Sequence, residues 1–168
     1  MRKLKNTAVT GILFLVMVFL FSSCEENDSE WRRGEIAYPA SIPVPPNGMI
    51  RYTFDIGYEW VDITGSQRYD YIDDLRYRGG SIYIYEGPFI RNFTLSLENS
   101  NAILPVRIDN PYGGTLDSRD PDVDNFLYAV AELIKHNGFA RIYIDGSSEP
   151  GRIIELDFYL DLDVYVFY

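Results

Sequence analysis

RIIELDFYLDLDVYVFY, residues 152–168, alternates with a period of two. Ile154, Leu156, Phe158, Leu160, Leu162, Val164 and Val166 share one face, and Glu155, Asp157, Tyr159, Asp161, Asp163 and Tyr165 share the other. Successive side chains of an extended strand point to opposite sides, so this segment is a strand with one face in a core and the other in water. One-sided burial of this kind suits an antiparallel sheet. At ~3.3 Å per residue the segment exceeds ~45 Å, longer than an ordinary strand, which predicts a bend or service in two sheets in turn.

Upstream, the same period appears from Met49. Ile50, Tyr52, Phe54, Ile56, Tyr58 and Trp60 alternate with Arg51, Thr53, Asp55, Gly57 and Glu59. The adjacent pair Trp60-Val61 breaks the phase and predicts a bulge or bend, with Gly65-Ser66 closing the segment. RYDYIDDLRYR, residues 68–78, reads as a further strand; Gly79-Gly80 predicts a hairpin into SIYIYE, and Gly87-Pro88 a turn into FIRNFTLSLE. AILPVRI, residues 102–108, is an edge strand, because Pro105 has no N–H to give a ladder. DNPYGGTLDSRD, residues 109–120, is a loop by composition. A helix follows: Asp120 is an N-cap, Pro121 opens the first turn, Asp122 and Asp124 meet the positive end of the dipole, and Gly138 stops the helix. Val123, Phe126, Leu127, Val130 and Ile134 form its apolar stripe. FARIYIDG then leads through SSEPG into the terminal strand. The order predicts a mainly β, antiparallel sandwich-like domain with one α-helix late in the chain, the alternative being an α+β layer.

The N-terminal residues tell of an address. Arg2, Lys3 and Lys5 precede an uncharged run from Ala8 to Phe21. That run of about 14 residues falls short of the ~20 that a spanning helix needs, so it reads as a signal peptide over residues 1–23. Phe21-Ser22-Ser23-Cys24 resembles the lipobox of bacterial lipoproteins. The resemblance implies cleavage before Cys24, a covalent lipid on its sulfur and attachment to a membrane. Glu25, Glu26 and Asp28 resemble the acidic export signal of surface lipoproteins of the Bacteroidetes, which implies an outer-membrane protein facing the cell surface rather than the periplasm. Two or three acyl chains hold a protein durably, at about 0.8 kcal/mol per buried methylene. Residues 24–47, acidic and then rich in proline, read as the lipidated N-terminus and an extended tether, ending in the turn Pro45-Pro46-Asn47-Gly48 before one domain over residues 48–168.

Charge and composition restrict the chemistry. The chain carries 15 basic and 25 acidic side chains, and loss of the leader removes three basic ones, for a net of −13. Such a surface repels phosphate backbones, which excludes nucleic acid as a partner. With one cysteine there is no internal disulfide, and with His136 as the single histidine there is no multi-histidine metal site. His136 reads as a surface cation or polar cap at the helix end. The alternate acids Asp120, Asp122 and Asp124 resemble the opening of an EF-hand, but Asn125 stands where that loop needs glycine, and the helix start explains them. An irregular calcium site from Asp109, Asp117, Asp120 and Asp122 is the alternative to no metal at all. Glu155, Asp157, Asp161 and Asp163 have the spacing of glycosidase carboxylates, yet acids on an exposed strand also oppose edge-to-edge aggregation.

Aromatics are the remaining clue: 14 tyrosines, 10 phenylalanines and two tryptophans. Tyr69, Tyr71, Tyr83 and Tyr85 are the candidate ligand-binding residues, since flat, half-exposed rings stack on sugars or anchor a protein. Together these readings predict a lipid-anchored envelope protein that is not an enzyme, with a β domain that binds a glycan or a protein. A small protease inhibitor or assembly subunit is the second reading, and a carboxylate-dependent hydrolase the third.

Overall fold

The computed structural model describes residues 29–64, 71–85, 92–107 and 113–167. In chain order the elements are β1 (Ser29–Pro43), β2 (Met49–Gly57), a single 3-10 turn (Tyr58–Trp60), β3 (Val61–Ile63), β4 (Tyr71–Ile84), β5 (Asn92–Leu97), β6 (Ile103–Val106), β7 (Gly114–Asp117), α1 (Pro121–Asn137), β8 (Phe139–Ser147) and β9 (Ile153–Phe167). They form a five-stranded sheet in the order β3-β1-β9-β4-β7 and a four-stranded sheet in the order β2-β8-β5-β6, with all described pairings antiparallel. The domain is the mainly β sandwich with one late helix that the alternation predicts.

β9 occupies the centre of its sheet, with its even-numbered residues from Ile154 to Val166 buried. It stays in that sheet throughout, so of the two expectations for its length, a bend or service in two sheets, the second does not hold. The reason is that both neighbours run along nearly its whole length: β1 pairs with it from Ser29↔Phe167 to Pro43↔Ile153, and β4 from Tyr71↔Phe167 to Ile84↔Leu156.

β1 corrects the tether. Ser29–Pro43 is a strand of the sheet, so the domain includes these residues rather than beginning at residue 48. Ile36, Ala40, Ile42 and Val44 are buried, and Tyr38 packs on the core. The prolines do not prevent this. Thr64 N–H donates to the Arg33 carbonyl at 3.0 Å and Val44 N–H to the Arg152 carbonyl at 2.8 Å, so odd-numbered residues of β1 turn their backbone groups away from β9. Pro39 and Pro43 are both odd, and neither withholds a donor from the central ladder. The turn into β2 is as predicted, with Gly48 at φ 73° and its N–H bonded to the Pro45 carbonyl at 2.8 Å.

Three further segments differ from expectation. Gly79-Gly80 makes no hairpin; β4 runs straight through, with register shifts between Ile72 and Asp74 and between Tyr77 and Gly79. A Cβ on Gly80 would lie 2.3 Å from the Tyr159 carbonyl oxygen and 3.2 Å from Leu127, so the glycine serves close approach of strand and helix. The phase break at Trp60-Val61 is a sheet change: the 3-10 turn carries the chain from β2 in one sheet to β3 in the other. Within the predicted loop DNPYGGTLDSRD, Gly114–Asp117 forms β7 on the edge of β4.

α1 packs across β4 and β8. The Asp120 side chain accepts from Asp122 N–H at 2.9 Å, Pro121 opens the helix, and Gly138 closes it at φ 83°. Val123, Phe126, Leu127, Val130 and Ile134 are all buried as the stripe predicts. Between the sheets, the rings of Phe54 and Phe158 lie 5.3 Å apart. Burying one such side chain contributes about 1.5–3 kcal/mol.

Candidate functional site

The outward face of the five-stranded sheet concentrates exposed aromatic rings. Odd-numbered positions of β9 point there, because the even ones fill the core, and register carries the same face onto β1 and β4. At one end, Trp31, Tyr71, Tyr165 and Phe167 make a continuous set. Trp31 and Tyr165 centroids are 5.2 Å apart, Tyr165 and Phe167 meet edge to face at 5.5 Å, and Tyr71 stacks on Phe167 at 4.7 Å. The Arg76 guanidinium lies 4.0 Å from the centroid of the Trp31 ring, and the Ser29 and Tyr165 hydroxyls are 2.8 Å apart. Tyr71 is 53% exposed.

At the opposite end, Tyr83 meets Tyr159 edge to face at 5.3 Å. Tyr85 donates its hydroxyl to the Asp157 carboxylate, which also accepts from Tyr159 at 3.4 Å. This bond, burial and the Asp157 charge push the Tyr85 phenol up to about 12. Tyr159 is also raised, by burial first and then by the same carboxylate. Between the two ends the face is charged: Asp163 pairs with Arg78 at 3.0 Å and Arg33 at 3.6 Å, beside exposed Glu35 and Asp161.

Of the predicted tyrosines, the fold thus places Tyr71, Tyr83 and Tyr85 on one surface but not in one cluster. Tyr71 pairs with Phe167 and Tyr83 with Asp157, ten positions apart on β9. That separation is about 33 Å at ~3.3 Å per residue. Tyr69 lies outside the described residues, as do Cys24, Glu25, Glu26 and Asp28. Tyr159, Tyr165 and Phe167 join the face from β9, where period two marks them as outward; Trp31 was concealed by reading its segment as a tether. Tyr77 turns inward, donating to Asp124 at 2.9 Å, and burial followed by that bond raises its pKa.

The four-stranded sheet has a different outer surface. Arg141 holds Asp55 by two bonds of 2.8 and 2.9 Å and approaches Glu98 at 3.5 Å, while Tyr143 donates to Glu98 at 2.9 Å. The Arg141 bond holds the Asp55 carboxyl below its usual range. Two shallow depressions flank this surface. One of about 290 Å³ lies among Asn47, Gly48, Met49 and residues 147–150, and one of about 440 Å³ among Met49, Arg51, Asn92, Thr94 and Asp145. Each contains a single carboxylate, Glu149 or Asp145, and so neither holds the pair that glycoside hydrolysis uses.

Of the acids named for calcium, Asp117 binds Arg119 at 2.9 Å, Asp120 caps α1 and Asp122 is exposed in the first helical turn, while Asp109 is outside the described residues. Among the described residues no group of three or more His, Cys, Asp or Glu is arranged to hold a metal. His136 is exposed and lies 3.4 Å from Glu132, one turn back. Among the described residues no helix is long and apolar enough to cross a membrane.

No protein-family model and no curated protein matches the chain. Among solved structures, it is similar to that described as the crystal structure of decameric BFDV capsid protein, with a TM-score of 0.43 and 7% identity over 84% of this chain and 100% of that one.

Proposed function

We propose that this chain is a lipid-anchored protein of the bacterial outer membrane, displayed at the cell surface, whose β domain binds a glycan without catalysing a reaction. The observation that carries the binding reading is the outward face of the β3-β1-β9-β4-β7 sheet. Trp31, Tyr71, Tyr83, Tyr85, Tyr159, Tyr165 and Phe167 project from it at both ends of a charged middle. Aromatic rings offer apolar faces to the C–H face of a sugar, while arginines and carboxylates between them exchange hydrogen bonds with its hydroxyls. A polymer lying along β9 would engage both aromatic ends. The lipid anchor rests on the leader and on Cys24, and the acids after it support surface display.

Two measurements test the two halves. Metabolic labelling with a fatty acid marks the wild-type chain and leaves Cys24→Ala unmarked; an unmarked wild type overturns the anchor. Binding of the purified full chain to a panel of immobilised polysaccharides is expected to weaken roughly 2- to 12-fold for each of Trp31→Ala and Tyr83→Ala, from the ~0.5–1.5 kcal/mol of an aromatic contact. Capture of no polysaccharide, or capture by both variants equal to wild type, overturns the glycan reading.

A further inference from the structure

The sheet edges are not alike. β3 has three residues and β7 four, β6 contains Pro105, and the length of β1 beyond β3 contains Pro39 and Pro43. Short edges and prolines discourage pairing with another chain. β2 has neither protection. It is nine residues long, contains no proline, pairs with β8 residue for residue from Met49↔Ser147 to Gly57↔Phe139, and ends its sheet.

The direction of its backbone groups follows from its two ends. Ser148 N–H donates to the Gly48 carbonyl at 2.9 Å, and Tyr58 N–H to the Gly138 carbonyl at 3.3 Å. Even-numbered residues of β2 therefore face β8, and Arg51, Thr53 and Asp55 turn their N–H and C=O groups to the side where no described strand pairs. Met49 N–H is taken by the Asn47 side chain at 3.0 Å.

We propose that β2 pairs with β2 of a second copy of this chain, antiparallel about a two-fold axis at Thr53, joining two four-stranded sheets into one of eight strands. MIRYTFDIG suits this register because it complements itself. With Thr53 opposite its counterpart, Arg51 stands opposite Asp55 of the other copy, Tyr52 opposite Phe54, and Ile50 opposite Ile56. Thr53 is an outward-bonding residue, so the axis falls on a hydrogen-bonded pair and Arg51 and Asp55 bond in the same ladder. Charge complementarity extends past the seam. Glu98, Arg141 and Asp55 already alternate in sign across one copy, and Arg51 beside Asp145 continues the row in the next. A shift of one residue would oppose backbone groups that cannot bond and turn the apolar row to the wrong face. Self-complementarity is what a two-fold interface requires. The contact uses the sheet opposite the aromatic face and leaves that face uncovered.

Sedimentation equilibrium of the full chain in density-matched detergent tests the pairing. The wild type is expected at twice the mass of one processed, lipid-bearing chain. Arg51→Glu sets a second carboxylate opposite Asp55 of the other copy, and Asp55→Lys sets a second cation opposite Arg51, so each variant is expected as a monomer. An equimolar mixture of the two restores opposite charges at both positions and is expected to form a dimer, which shared detergent micelles would not reproduce. Thr53→Pro removes an outward donor without touching the β8 ladder and without changing charge; it too is expected as a monomer with the wild-type circular dichroism spectrum. A monomeric wild type, a dimeric single variant, or a folded mixture that stays monomeric overturns the proposal.

Discussion

Tyr77 and Tyr85 both donate to carboxylates, yet their surroundings differ. Tyr77 is raised first by burial against α1, and its bond to Asp124 ties strand to helix. Tyr85 is 47% exposed, and its bond to Asp157 is the leading cause of a pKa pushed up to about 12. Replacing Asp157 by Asn should return Tyr85 toward the ordinary tyrosine value near ~10, read by ultraviolet absorbance during alkaline titration. The sign of the linkage follows. A phenol whose folded pKa lies above its unfolded value stabilises the fold fully below the unfolded value of 10, and that contribution disappears as pH rises through about 12. Wild-type stability should accordingly fall more steeply across that window than that of Asp157→Asn. Tyr77 shares the odd numbering of Tyr71, Tyr83 and Tyr85, and strict alternation along one strand would put all four on the same face. The register shifts at Ile72/Asp74 and Tyr77/Gly79 invert the phase between them and then restore it, leaving Tyr77 alone of the four on the core side. A simple period cannot register an extra residue.

Elements whose signals are local were legible. α1 is bounded by its own residues: Asp120 caps Asp122 N–H, Pro121 fits the first turn, and Gly138 adopts a left-handed φ of 83°. Asp120→Ala should destabilise the protein by about 1 kcal/mol in urea unfolding, with Asp120→Ser close to wild type. β1 and β4 depart from the sequence expectation because the effect of a proline or glycine in a strand depends on the direction of its backbone groups, not on residue type alone. Pro39 and Pro43 fall on the side of β1 away from β9, and Gly80 lets β4 approach Tyr159 and Leu127. Period two was present in β1 all the same, with Ile36, Tyr38, Ala40, Ile42 and Val44 in phase.

For the molecule as a whole, the consequential correction is the domain boundary. Residues 29–43 supply one complete flank of β9 and bury Ile36 and Ile42 at 0% and 1% exposure. A chain of residues 48–168 should therefore show no cooperative thermal transition by circular dichroism, while the full chain shows one. A folded truncation would return this segment to the role of tether. The sequence by itself determined the mainly β class, the buried face of β9, the extent of α1 and the edge position of β6, because periodicity and capping are properties of neighbouring residues. Tertiary structure alone decided that β1 flanks β9, that the chain changes sheets at Tyr58–Trp60, and that Trp31 joins Tyr71, Tyr165 and Phe167 on one surface. These depend on register between strands distant in the chain, Trp31 opposite Tyr165 for example, and strand register is set by the packing of a whole face rather than by any local pattern.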